Sequence, residues 1–251
     1  MRLVSWNVGK RSQHKEAVLQ HLEDLKADLV LLQESQSKVH VLAKERGWRT
    51  VSAAVSTPES PSDCVILARE GLDLRRAEPS AVSQLGRYLA HGELHINGTV
   101  TQIFSVHPLA KVVPLEALTH LREIDVERSS DPRVWWSDLF FYLIGHTAAE
   151  RSAIIGGDWN TSRLFQESLF ERTAARGWVE VLPHIHGEQQ RTWFRGADRP
   201  HGLDHVFCTS DLRQTVSNAH VDDSVADSAG EHVGRGLSDH AAVVVDLDLP
   251  E

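Results

Sequence analysis

The 251-residue sequence holds only two cysteines, which excludes a disulfide framework. Cys64 and Cys208 both fall in apolar, strand-like runs, where buried free thiols are expected, and a reducing cytoplasm is the compartment that fits. No apolar run approaches the ~18 residues a membrane-spanning helix needs. The N-terminal residues Met1-Arg2-Leu3-Val4 enter a strand pattern at once, so no secretory signal is expected. An excess of positive charge is missing too. Lys and Arg number 26 against 35 Asp and Glu, a formal −9, which argues against binding a polyanion over the whole surface. It leaves open a nucleic-acid enzyme whose metal ions supply positive charge locally. Fifteen histidines come without Cys-x-x-Cys or His-Glu-x-x-His spacing, so no zinc site is expected. With no Pro/Gly/Ser linker and no internal repeat, residues 1–251 read as one domain.

What the sequence does contain is a regular alternation. Strand-like runs occur at Leu3–Val8, Leu29–Gln33, Cys64–Ala68, Tyr88–Ile96, Val100–His107, Ala153–Gly157, Leu203–Cys208 and Ala241–Leu249. Asn97-Gly98 between two of them supplies the two positive-φ residues of a type I′ hairpin turn. Helical spacing predicts helices over 14–26, over 115–127 after Pro114, from Asp131-Pro132 through Trp136, Phe140 and Leu143, and over 163–176. Strands mixed with helices, with an antiparallel hairpin among them, predict a layered α/β fold with helices outside sheets.

Polar chemistry concentrates where strands end. Asn7 ends the first run, Glu34 follows the second, and His107 ends the strand after the hairpin. Gly156-Gly157-Asp158-Trp159-Asn160 follows another run, Asp204 opens the next, and Ser238-Asp239-His240 precedes the last. Strand ends gather at one rim of a sheet, so Asn7, Glu34, His107, Asp158, Asn160, Asp204, Asp239 and His240 can converge. Hard oxygen ligands without thiolates suit Mg²⁺ or Mn²⁺, and imidazole and amide donors nearby suit a phosphate in transition. Taken singly, each residue also fits a turn, a helix cap or a solvated loop. Their joint placement is what favours a site.

Trp-Asn-Val, Leu-Gln-Glu, Gly-Gly-Asp-Trp-Asn, Leu-Asp-His-Val-Phe and Ser-Asp-His, in that order from residue 3 to about 248, resemble the endonuclease/exonuclease/phosphatase family. Thr192-Trp193 adds a partial sixth match. The resemblance implies a four-layer α/β sandwich, two mixed sheets face to face with helices on both outer faces. It implies Glu34 as principal metal ligand, with Asn7 and Asp239 in or beside the metal shell. Asp158 would orient and deprotonate the attacking water, with Asn160 helping to hold water and phosphate. His240 would contact a non-bridging phosphate oxygen, oriented by Asp204. His107 matches the deoxyribonuclease and sphingomyelinase branch, and Arg87 matches a position that contacts phosphate in relatives. His201-Gly202 stands where abasic-site endonucleases carry an aromatic, which argues against abasic-site specificity. The implied activity is Mg²⁺- or Mn²⁺-dependent phosphodiester hydrolysis with nucleic acid as first-choice substrate. A phosphatase or phosphodiesterase of small metabolites or lipid headgroups is the alternative, and an inactive binding module the third reading. Substrate selection is assigned to rim loops: either Trp135 on the flank of its helix stacks on a base or covers an apolar substrate part, or the segment is an outer helix covering the sandwich and the selector is the 222–236 loop.

Overall fold

The computed structural model describes residues 1–9, 14–53, 63–114, 134–149, 151–194, 201–226 and 236–249. Its elements in chain order are β1 (Arg2–Asn7), α1 (Lys15–Asp24), β2 (Leu29–Ser35), α2 (Ser37–Glu45), β3 (Arg49–Ser52), β4 (Asp63–Ala68) and β5 (Asp73–Arg76). A 3-10 turn at Ala81–Tyr88 leads to β6 (Leu89–Ile96), β7 (Thr99–Val106), α3 (Trp136–Thr147) and β8 (Ala153–Asp158). Then come α4 (Arg163–Ala175), β9 (Trp178–Glu180), α5 (Val181–His186), β10 (Asp204–Thr209), β11 (Val216–Asp222) and β12 (Ala242–Leu247).

The strands form two mixed six-stranded sheets, ordered β11-β12-β1-β2-β4-β3 and β5-β6-β7-β8-β10-β9. β1 runs parallel to β2 and β7 parallel to β8, and the other pairings are antiparallel. Each central strand is apolar on both faces, because each sheet is covered on both sides. On β1, Leu3 points between the sheets, while Val4 and Trp6 pack with Leu19 and Leu22 of α1 and Val39 of α2. On β8, Ile154 lies between the sheets and Ile155 packs with Phe140 and Phe141 of α3 and Phe170 of α4. The order of layers is helix, sheet, sheet, helix, the four-layer sandwich the sequence resemblance implies.

This two-residue period places the chemistry. On β1 the inward row is Leu3, Ser5, Asn7; on β8 it is Ile154, Gly156, Asp158; on β10 it is Cys208, Val206, Asp204. Each row is apolar in the middle of the sandwich and polar at one end. The C-terminal ends of the two parallel pairs lie at the same rim as the N-terminal ends of antiparallel β10 and β12. The site is therefore the rim of the inter-sheet core itself.

The glycine pair of β8 is needed for this closeness. A Cβ on Gly156 would lie 2.6 Å from Leu31 Cδ1 and 3.0 Å from Ser5 Oγ of the facing sheet. One on Gly157 would lie 1.9 Å from the Val106 carbonyl oxygen on the neighbouring strand. The expected hairpin turn is present, with Asn97 at φ 49° and Gly98 at φ 79°.

Two readings change, and one falls outside the described residues. α3 begins at Trp136, and Trp135 lies before it in extended conformation, paired with Val112 rather than on a helix flank. The helix expected over 115–127, and the Asp131-Pro132 start expected for the helix through Trp136, Phe140 and Leu143, lie outside the described residues. Spacing also passed over α2, α5, β11 and the short strands β3, β5 and β9.

Two consequences can be measured. Gly157→Ala must displace backbone, an overpacking cost of ~1–3 kcal/mol, and should lower Tm by at least about 2 °C; an unchanged Tm would show that β7 and β8 are not this close. His40 of α2 is buried, with Nε2 3.2 Å from Ser35 Oγ at the end of β2. Burial pushes its imidazole down to about 4, against the opposing charge of Asp63. The unfolded chain, with its ordinary value near 6.5, then takes up the proton first as pH falls. The His40 contribution to stability is complete above about 6.5 and drops by on the order of 3 kcal/mol by pH 4. Denaturant midpoints at pH 7.5 and 4.5 should diverge more in the wild type than in His40→Gln; equal pH dependence contradicts the assignment.

Candidate active site at the sheet rim

At the rim the two sheets are joined by side chains. Asn7 Nδ2 of the first sheet donates to Asp158 Oδ2 of the second at 2.9 Å, both residues buried. Asn7 is held in turn: its Oδ1 accepts from Gly9 N–H (2.9 Å), and its carbonyl accepts the Ser238 hydroxyl (2.6 Å). The other carboxylate oxygen of Asp158 accepts the Asn160 N–H at 2.9 Å, a turn that sets Asn160 at φ 50°. Asn160 Nδ2 reaches across to the Pro108 carbonyl at 3.0 Å, tying the loop after β8 to the loop after β7.

His240 comes from the first sheet and is clamped by the second. Its Nδ1 donates to Asp204 Oδ2 at 2.8 Å, and its Nε2 lies 3.7 Å from Asp158 Oδ2. The same Asp204 oxygen accepts the Thr192 hydroxyl at 2.7 Å, while the backbone N–H groups of Leu203 and Asp204 donate to the Thr192 Oγ1. Trp6 Nε1 donates to the His240 carbonyl at 3.0 Å, and Ser238 Oγ accepts the His240 N–H at 3.1 Å. A second imidazole, His107, has its Nε2 3.5 Å from both Glu34 Oε1 and Asp158 Oδ2.

Glu34 breaks the inward–outward alternation. Gln33 already points inward and donates to Ser105 Oγ on β7 at 3.1 Å. A register shift between Leu32 and Ser35, with Glu34 at φ 51°, turns the next side chain to the rim as well. Left-handed backbone at a glutamate is a local strain of the kind that persists where surrounding contacts enforce it.

Burial and proximity set the charges. Burial alone would lower the His240 imidazole, but the carboxylates of Asp204 and Asp158 outweigh it and raise it to about 10. Burial opposes ionisation of Asp158, yet the charge of His240 and the hydrogen bond and charge of His107 hold its carboxyl well below the usual range. His107 is likewise raised, with burial overcome by Asp158 and Glu34. The result is a fixed anion facing two imidazoles, each raised by the carboxylates around it.

Asp158, Asp204 and His240 bring ligand atoms within 4.8 Å of one another. Asp204 Oδ2 is already engaged by His240 Nδ1 and the Thr192 hydroxyl, and both Asp158 oxygens accept hydrogen bonds from Asn7 and Asn160. The better-suited oxygens are those of Glu34 and Asp239, whose Oδ1 would be 3.7 Å from a Cβ on Gly9. Four carboxylates against two imidazoles leave excess negative charge, and the oxygen donors are hard. The set fits a hard divalent cation.

Arg87 and Trp135 stand further out. Arg87 Nη2 donates to Tyr88 OH at 3.1 Å with its guanidinium 5.0 Å from that ring, and the Tyr88 ring is 6.5 Å from His107. Trp135 lines a cavity together with Asn160. The sequence shows Thr192 in its Thr-Trp pair and Ser238 in Ser-Asp-His, but it assigns neither a role; the structure makes both clamps, Thr192 on Asp204 and Ser238 between Asn7 and His240.

No curated protein matches the chain in sequence. Among solved structures, the 3′-5′ exonuclease NExo of Neisseria meningitidis is similar with TM-score 0.69 and 16% identity, covering 99% of this chain and 100% of that one. An AP endonuclease from Archaeoglobus fulgidus follows at TM-score 0.66 and 16% identity, covering 99% and 100%. A humanized D. rerio TDP2 gives TM-score 0.66 and 15% identity, covering 98% and 97%. These likenesses concern the fold. In sequence, the Endonuclease/Exonuclease/phosphatase family matches residues 4–240, the span that contains every strand-end residue described above. The chain belongs to that family.

Proposed function

We propose that the chain is a divalent-metal-dependent phosphodiesterase that hydrolyses nucleic-acid phosphodiester bonds by in-line attack of water. The observation that carries this reading is the buried Asp204–His240–Asp158 arrangement, which sets an N–H donor and a fixed anion against the same space at the rim. His240 Nε2–H donates to a non-bridging phosphate oxygen and stabilises the charge that develops there. Asp204 holds the ring from Nδ1, so the donor needs no reorganisation. Asp158 accepts a hydrogen bond from the attacking water, aligns it and draws off its proton. Asn160 and Asn7 keep Asp158 oriented, and Asn160 borders the phosphate. His107 adds a second protonated donor, and Arg87 extends the positive edge towards a neighbouring phosphate.

Glu34, with Asn7 and Asp239, would hold the cation, Mg²⁺ by preference or Mn²⁺. When bound, the ion supplies Lewis-acid stabilisation of phosphoryl and leaving-group oxygens. The relatives support a nucleic-acid substrate: the Neisseria protein is an exonuclease and the Archaeoglobus protein an AP endonuclease. The formal charge of −9 favours the second reading, a small phosphoester. Free, buried Cys64 and Cys208 support a reducing, cytoplasmic setting, and we read residues 1–251 as one catalytic domain. Among the described residues no helix is long and apolar enough to cross a membrane.

EDTA should abolish turnover of plasmid DNA, single-stranded DNA or RNA, and added Mg²⁺ or Mn²⁺ should restore it while the circular dichroism spectrum stays constant. Full activity after exhaustive chelation contradicts the mechanism. If only phosphometabolites in the same panel are hydrolysed, the small-phosphoester reading replaces the first.

His240→Ala should lower kcat by at least ~10²-fold, the scale of a lost oxyanion-type donor. Asp158→Asn should lower kcat with little change in substrate affinity, since size and placement persist. Near-normal kcat in either variant sinks that residue's role.

A further inference from the structure

Beside the phosphate site lies a cavity of about 280 Å³ that the mechanism above does not use. Its walls grow out of the catalytic strand ends. Leu109 follows His107 at the end of β7; Asn160 and Phe165 follow Asp158 at the end of β8; Trp135 completes the apolar lining. Its polar edge is made by Ser137 and Gln166. A group attached to a phosphate at Asp158 and His240 has this cavity as its neighbour.

The walls are held in place before any ligand arrives. Trp135 pairs with Val112, and Val113 N–H donates to the Val134 carbonyl at 2.8 Å. Asn160 is anchored on the Pro108 carbonyl. The Phe165 ring is braced by His201 at 4.9 Å, and His201 stacks at 6.2 Å on Trp193, whose backbone pairs with His240. Yet Phe165 is 59% exposed and Leu164 beside it 77%, large apolar surface at the mouth of the cavity.

The polar edge selects the kind of group. The Ser137 hydroxyl donates to Gln166 Oε1 at 2.8 Å, and α4 departs from helical backbone at Gln166, where φ is −142° and ψ 55°. A pinned carboxamide gives a fixed donor–acceptor edge between flat apolar walls. An alkyl chain would leave that edge unpaired, at a desolvation cost. A heteroaromatic ring with polar edge atoms satisfies both. The volume lies near the lower limit of ligand pockets, which suits one ring system.

We propose that this cavity receives one unstacked nucleobase of the nucleotide next to the scissile phosphate, flanked by Trp135 and Phe165 and met at its edge by Gln166. It rests on the phosphodiesterase reading and makes it more specific: the substrate is single-stranded or frayed at the cleavage point, because a base in a duplex stack cannot enter.

The test compares esters that share one leaving group: the 5′- and 3′-(p-nitrophenyl phosphate) esters of thymidine, and methyl p-nitrophenyl phosphate. The better thymidine ester should exceed the methyl ester in kcat/KM by at least about tenfold. Phe165→Ala and Trp135→Ala should each shrink that ratio at least about fivefold, the lower end of what one stacked base contributes. A second arm needs no chemistry: titration calorimetry of thymidine 5′-phosphate against deoxyribose 5-phosphate, where the base should improve Kd at least about fivefold and Phe165→Ala should remove the gain. Turnover of all esters at similar kcat/KM, or ratios and affinities unmoved in both variants, overturns the base pocket. Base-dependent binding without hydrolysis of any ester keeps the pocket and overturns the phosphodiesterase reading. Phe165 is exposed enough for its alanine variant to fold, and an unchanged Tm confirms that any loss is local.

Discussion

A protonated imidazole held between two buried carboxylates governs the architecture of this rim. Taking three charges out of water costs several kcal/mol per ion unless each is paired and its remaining hydrogen-bonding capacity is met. His240 is paired with Asp204 through Nδ1 and faces Asp158 through Nε2. Thr192, Asn7 and the Asn160 N–H supply most of the rest, while Asp204 Oδ1 is buried without a hydrogen-bond partner among the described residues. Since the two aspartates lie on strands of one sheet and His240 leads into β12 of the other, the charge pairing exists only while the sheets stay packed. Losing one partner of such a pair typically costs ~3–5 kcal/mol, so packing and catalytic geometry depend on each other.

The sandwich needs few special features to produce this. Inward rows that are apolar in mid-strand become polar at their ends with no break in alternation, which places Asn7, Asp158 and Asp204 without strain. Glu34 and Asn160 are the departures, each in left-handed backbone. Asn160 is held there by Asp158 and Pro108, and Glu34 sits at the register shift between Leu32 and Ser35. The unsubstituted backbone at Gly156 and Gly157 lets the facing sheet and the adjacent strand come close just below Asp158.

Much of this is legible in the sequence because strand-end polar residues and buried strands obey a local rule. Leu3–Val8 or Ala153–Gly157 cannot be read as anything but buried strand, and the polar residue that ends each is visible beside it. What depends on non-local contact is not visible. Thr192 and Ser238 sit in motifs the sequence shows, but their clamping roles depend on partners 12 and 231 residues away, and no spacing rule announces those contacts. Trp135 was assigned to a helix flank from aromatic periodicity, but pairing with Val112 holds it extended outside the helix. β3, β5 and β9 are short edge or near-edge segments whose pairing partner, not their own pattern, makes them strands.

In the proposed reading the carboxylates share two tasks: Asp158 and Asp204 pair with His240, Asp158 and Glu34 face His107, and Glu34 with Asp239 would hold the cation. Asp158, Asp204 and His240 also bring ligand atoms within 4.8 Å of one another, which makes their triangle the competing metal site. Anomalous diffraction from a crystal soaked in Mn²⁺ decides this directly. The predicted result is a peak against the carboxylates of Glu34 and Asp239, with His240 Nδ1 still bonded to Asp204; a peak ligated by His240 within that triangle would contradict the division of roles.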